Sequence, residues 1–109
     1  MKARTITINF AAEFTRYPGG RYRNQGPLSG EEFREDHLIP ALNANDRVIV
    51  VLDGVFGLPC SFIDEAFGVL VERLGFETVS EKLEVQLVDD PVSFAEIRKA
   101  INDHAKITR

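Results

Sequence analysis

The run Arg47-Val48-Ile49-Val50-Val51-Leu52 constrains this chain more than any other segment. Four of its five consecutive apolar residues are β-branched, and their stiff χ1 angles favour a strand over a helix. Polar residues do not alternate with them, so the run predicts a central strand covered on both faces. A strand of that kind needs helices to cover it, and the chain is short for the task. Its 109 residues suit one domain, 1–109, with Leu, Ile, Val and Phe supplying 35 side chains for a single core.

The flanking segments supply the helices. Ser29-Gly30-Glu31-Glu32 is a capping box, with the serine oxygen positioned for an early backbone N–H and Glu32 for the return bond. Phe33, Leu38 or Ile39, and Leu42 give this helix a buried side, and Pro40 is expected to kink or end it. Asp53-Gly54 ends the central strand, and an apolar connector leads to Ser61, which is expected to cap a second helix with Asp64 as its partner. Ile63, Ala66, Phe67, Leu70 and Leu74 form the stripe of that helix, and Gly75 suits its C-terminal cap. Asp90-Pro91 opens a third helix with Phe94, Ile97, Ile101 and Ala105 inward. Thr5 to Phe10 and Leu83 to Val88 alternate like half-buried strands, and Phe76 to Val79 is a short strand or connector. Phe14 to Pro27 is a polar extended loop or a glycine-tipped hairpin. The resulting expectation is an α/β fold: a small mixed sheet of about four strands with three main helices.

Charge narrows the functional classes. The net charge is −4, yet Lys2, Arg4, Arg16, Arg21 and Arg23 face only Glu13 within residues 1–25. The acidic remainder argues against direct nucleic-acid binding. No apolar run approaches the ~20 residues of a membrane span, no signal-peptide stretch follows Met1, and Cys60 has no disulfide partner. A soluble, cytoplasmic protein is the expectation.

The residues that could carry chemistry are few. His37 and His104 have no metal-ligand spacing and read as surface or half-buried helix residues, so neither metal nor cofactor is expected. Cys60 reads as a small core cysteine, although a helix N-terminus would favour its thiolate. Asp64 and Glu65 project about 100° apart on a helix, which suits capping rather than paired acid–base work. Without a catalytic constellation the chain is read as a non-enzyme. Arg16, Arg21 and Arg23, clustered around Gly19-Gly20, form a candidate anion or nucleotide site, although no glycine-rich phosphate fingerprint leads from a strand into a helix. Ser61 has two compatible roles: an N-cap, and a hydroxyl whose phosphorylation would add nearly two negative charges at a helix N-terminus.

Asp53-Gly54-Val55, the stretch from Cys60-Ser61-Phe62-Ile63-Asp64-Glu65-Ala66-Phe67-Gly68 to Leu70, and the upstream Pro18-Gly19-Gly20-Arg21 and Gly26-Pro27-Leu28-Ser29-Gly30-Glu31-Glu32-Phe33 together resemble the STAS-like domain family of unknown function. The resemblance runs from about Thr5 to Ile101. It implies a two-layer α/β domain related in plan to the STAS anti-sigma-factor antagonists. Those bind a protein partner, a serine kinase of histidine-kinase-like ATPase fold or an anti-sigma factor, and release it on phosphorylation. By that resemblance Ser61 matches the phosphorylated serine and Asp53 the acidic residue ending the central strand. Asp53, Cys60, Ser61, Phe62, Asp64 and Glu65 would then form the docking surface. The antagonists typically read Asp-Ser-Ser-Gly-Leu-Gly at this site, whereas here Pro59-Cys60 precedes Ser61 and Phe62-Ile63-Asp64-Glu65 follows it.

Overall fold

In the computed structural model, which describes residues 3–107, three strands form one sheet in the order β1 (Thr5–Asn9), β2 (Arg47–Val51), β3 (Leu83–Gln86). Met1 and Lys2, the latter part of the basic N-terminal stretch, lie outside the described residues. Both pairings are parallel, with Ile8 opposite Val50 and Val50 opposite Val85. The sheet is therefore three-stranded and wholly parallel, not a mixed sheet of four. The segment read as a short strand or extended connector, Phe76 to Val79, is helical instead, as part of the helix Phe76–Lys82. Gly75 starts that helix at φ +90°, directly after the preceding helix ends, leaving no extended residues for pairing.

Parallel neighbours in sequential order require crossovers of one hand, which place the connecting helices on one face. Burial follows this. Ile8, Val48 and Val50 are buried, whereas Thr5, Thr7, Asn9, Arg47 and Gln86 on the other face are exposed. Ile49 and Val51 share that face and are half-buried. The architecture has two layers, and β2 is central but covered on one side only. Its uninterrupted apolar run concealed an alternating burial.

Five helices are present among the described residues. The first, α1 (Phe10–Glu13), is a single turn capped by Asn9. The second, α2, spans residues 30–44 as α-helical Gly30–Phe33, a π turn Arg34–Leu38 and α-helical Ile39–Ala44. Ser29 is fully buried and caps it: Glu32 N–H donates to Ser29 Oγ at 3.0 Å, and the Glu32 carboxylate accepts from Leu28 N–H at 3.0 Å. Pro40 does not end α2. Ile39 N–H already bonds five residues back to Arg34 O, so the donor that proline lacks falls where the ordinary ladder is interrupted.

The third helix, α3, spans residues 60–74 with the same layout: Cys60–Ile63, a π turn Asp64–Gly68, and Val69–Leu74. Its N-cap is Pro59, without a side-chain bond, so Ser61 is the second residue of the helix rather than its cap. The short α4 is Phe76–Lys82, and α5 is Pro91–Ile107, opened by Asp90, which accepts from Ser93 N–H at 3.1 Å. The core lies between sheet and helices, around Phe10, Phe33, Phe62 and Phe67. Phe10 meets Phe33 edge-on at 4.8 Å between ring centroids and Phe62 at 5.7 Å.

Phe14 to Pro27 contains no hairpin. It carries one 3₁₀ turn, Arg23–Gln25, and is pinned to the start of α2. Gly30 and Glu31 donate their N–H groups to Gly20 O at 2.9 Å and Arg21 O at 3.1 Å. The loop thus satisfies donors that the first helical turn leaves without internal partners.

Candidate functional site

The pinned loop directs Arg21 onto the π turn of α3. Arg21 Nη1 lies 2.5 Å from Asp64 Oδ2 and 3.5 Å from Glu65 Oε1. Glu65 is buried and its second partner is the equally buried Arg34, from the π turn of α2, at 2.6 Å. Arg34 also donates to Glu65 O at 2.7 Å and, through Nε, to Glu35 at 2.8 Å, and Glu35 in turn holds Arg73 at 2.9 Å. On the other side Asp64 Oδ1 lies 2.7 Å from His104 Nε2, and His104 Nδ1 contacts Glu72. One network of alternating charges therefore crosses both π turns, from Arg73 to Glu72.

His104 packs against α3 at Gly68, where a Cβ would overlap its ring. Burial alone would lower the His104 pKa, but the hydrogen bonds and charges of Asp64 and Glu72 outweigh it and the net shift is upward from 6.5. At Asp64, burial pushes upward, yet Arg21 and His104 hold the carboxyl below its ordinary value. A raised folded-state histidine stabilises the fold fully below its unfolded value and loses that contribution as pH rises through the folded value. Urea titrations at successive pH values should therefore show stability falling as pH rises above about 6.5. His104→Gln should flatten that part of the profile.

Beside this network, between the first turn of α3 and α5, lies an open depression of about 510 Å³. Arg21, Cys60, Ser61, Asp64, Glu96 and Lys99 contribute to it. Ser61 and Asp64 are half-exposed here and Cys60 is exposed. Cys60 is therefore not a core residue. Its Sγ lies 3.5 Å from Glu96 Oε2, and that carboxylate pushes the thiol pKa up, against the thiolate that a helix N-terminus would favour.

The structure divides the expected docking residues. Cys60, Ser61 and Asp64 come together on the depression. Phe62 is fully buried in the phenylalanine cluster and Glu65 is buried on Arg34, so neither is open to a partner. Both project inward because the α3 stripe that meets α2 includes them. Gly30 permits that close crossing, as a Cβ there would stand 2.8 Å from Phe62 O. Asp53 lies elsewhere. Its carboxylate accepts from Val88 N–H at 2.7 Å and Asp89 N–H at 2.9 Å, which ties the end of β2 to the end of β3 and holds its pKa down.

The three arginines do not converge. Arg21 pairs with Asp64, Arg23 forms a two-pronged pair with Asp36 on α2, and the backbone carbonyl of Arg16 accepts from Phe56 N–H at 2.8 Å. His104, read from the sequence as a surface or half-buried helix residue, is buried between Asp64 and Glu72, and Arg34, Glu96 and Lys99 were not singled out in the sequence. For His104 a signal existed: Asp64, Gly68 and Glu72 recur every four residues along α3, a polar stripe with a gap at its centre. Among the described residues no His, Cys, Asp and Glu group could hold a metal ion. No described helix is long and apolar enough to cross a membrane.

Comparison with known families matches residues 29–93, more than half of the chain, to the STAS-like domain of unknown function, DUF4325. The chain belongs to this STAS-like family. The match runs from the Ser29 cap to Ser93 in the first turn of α5, so it contains β2, β3 and both π-turn helices. Searches of curated proteins and of solved structures each found no match. In this STAS-like domain, Arg21 and His104, which clamp Asp64 from two sides, both lie outside the matched segment.

Proposed function

We propose that this STAS-like domain is a non-enzymatic regulatory module that docks a partner protein on the depression at the start of α3 and is switched by phosphorylation of Ser61. The observation that carries this reading is the position of Ser61: in the first turn of a 15-residue helical segment, half-exposed, in a depression shared with Arg21 and Lys99. A phosphate there meets the free N–H groups of the helix start and two nearby cations. Asp64, Glu96 and Asp103 on the same depression oppose it, but Asp64 is neutralised by Arg21 and His104 and Asp103 by Lys99. A phosphoserine competes with Asp64 for Arg21, so the switch works by adding charge and by loosening the loop that Arg21 anchors. The partner class follows from the family's likeness to the anti-sigma-factor antagonists: an ATPase-fold serine kinase or an anti-sigma factor.

The test compares tagged wild type, Ser61→Ala and Ser61→Asp recovered from the native host, with intact-mass analysis of each. Wild type and Ser61→Ala are expected to retain one ATPase-fold partner. A fraction of wild type should gain one phosphate, and Ser61→Asp, folded by circular dichroism, should lose the partner at least tenfold. Unchanged retention by Ser61→Asp overturns the switch.

A free anionic ligand is the second reading, favoured because Arg21 and Lys99 share the depression. It requires Arg21 to leave Asp64, and neither Arg16 nor Arg23 lines the cavity. Thermal shift with a nucleotide panel separates it from protein docking.

A further inference from the structure

β3 is an edge strand with β2 as its one strand neighbour. Leu52 N–H donates to Gln86 O at 2.9 Å, and Val51 pairs with Gln86 in the register. Backbone polar groups alternate sides along a strand, so those of Glu84 and Gln86 face β2 and those of Leu83, Val85 and Leu87 face outward. Leu83 N–H is taken by Val79 O at the end of α4. The outer edge therefore offers Leu83 C=O, both groups of Val85, and Leu87 N–H. A groove of about 400 Å³ lies beside this edge, lined by Phe76, Leu83, Val85, Phe94 and Ile101, with Arg98 and Asn102 among its polar members. The opposite edge, β1, is different in kind. Thr5, Thr7 and Asn9 alternate along it on the open face, and Asn9 N–H is bonded to Glu13.

We propose that β3 pairs antiparallel with β3 of a second copy about a two-fold axis at Val85, joining two sheets into one of six strands. Antiparallel pairing about that axis sets Val85 opposite Val85 and Leu83 opposite Leu87, the residues whose backbone groups face outward. It also keeps both helix layers on the same side. The side chains agree with this register. Glu84 falls opposite Gln86 of the second copy, so a carboxylate that only accepts meets an amide that donates. Within one copy Glu84 already accepts from Arg47 at 2.8 Å and from Gln86 at 2.8 Å, and the second amide extends that chain across the axis. The contact is isologous and uses the whole free edge of each copy, so it closes at two. It leaves the Ser61 depression free, since Glu96 and Lys99 contribute to that depression and Phe94 and Ile101 to the groove.

The experiment is sedimentation of the full chain over a concentration series, with amide hydrogen exchange at the same concentrations. Dimerisation is expected, with protection of the Val85 and Leu87 amides rising with concentration. Gln86→Glu sets like charges opposite each other twice per dimer and should weaken Kd about tenfold, and Gln86→Lys should tighten it by a similar factor. Gln86 is exposed, so circular dichroism at low concentration should show both variants folded. A monomer at every concentration overturns the proposal. So does a dimer whose Kd ignores the charge at position 86, or one in which the Val85 and Leu87 amides exchange as in the monomer.

Discussion

Arg34→Met should destabilise the protein by about 3 kcal/mol, a fall in melting temperature of about 15 °C for a domain of this size. Arg34 and Glu65 are both almost fully buried, and the guanidinium makes two bonds to Glu65, one to its carboxylate and one to its backbone carbonyl. Methionine fills much of the same volume, so the loss is chiefly electrostatic: Glu65 keeps its charge inside with only Arg21, at 3.5 Å, still near. The double variant Arg34→Met/Glu65→Leu should recover most of the stability, since two apolar side chains leave no unpaired buried charge. Denaturant melts of the two single variants and the double variant provide the cycle. Additive losses would show that the buried pair contributes no coupling.

Phe33→Ala should be at least as damaging, at about 4 kcal/mol. Phe33 is fully buried and its ring is the hub of the aromatic core, 4.8 Å from Phe10, 5.2 Å from Phe14 and 6.3 Å from Phe67 between centroids. Those neighbours come from β1–α1, the loop and α3, so no single element can move in to fill the void. The remaining stability of a chain this short is then small, and thermal melts should show an early, broadened transition. A loss below 1 kcal/mol would mean the cluster collapses around the gap, contrary to its anchoring on separate elements.

Local signals were legible where one residue type performs one local task. Ser29 with Glu32, Asp90 with Pro91, and the stripe from Ile63 to Leu70 all read directly into structure, because caps and stripes are decided within a turn or two. The Ser61 cap did not, because the helix begins one residue earlier than the serine and Pro59 supplies the fixed φ at its entry. The bare sheet face was hidden by composition: Ile49 and Val51 are as apolar as the Val48 and Val50 that alternate with them, so the run carried no polar mark of its exposed side. The charge network was hidden by distance. Arg21, Arg34, Asp64 and His104 are far apart in the chain, and only the crossing of α2, α3 and α5 brings them together. The candidate site was thus legible at Cys60, Ser61 and Asp64, which share one helical turn, and illegible on α5, whose contribution depends on how it packs.

The matching π turns of α2 and α3 act as a phase slip. Each extra residue in a helical turn rotates everything before it by about 100° relative to everything after it. In both helices the slip comes after the first four residues, so the two N-terminal ends are turned by the same amount. They meet at Gly30 and Phe62, while the C-terminal half of α2 packs against β2 and that of α3 against α4 and α5. Removing one residue from either turn rotates that helix end by about 100° and carries Gly30 or Phe62 off the crossing. Removing one from each swings both contact faces off the line between the helices, so the second deletion does not restore what the first one breaks.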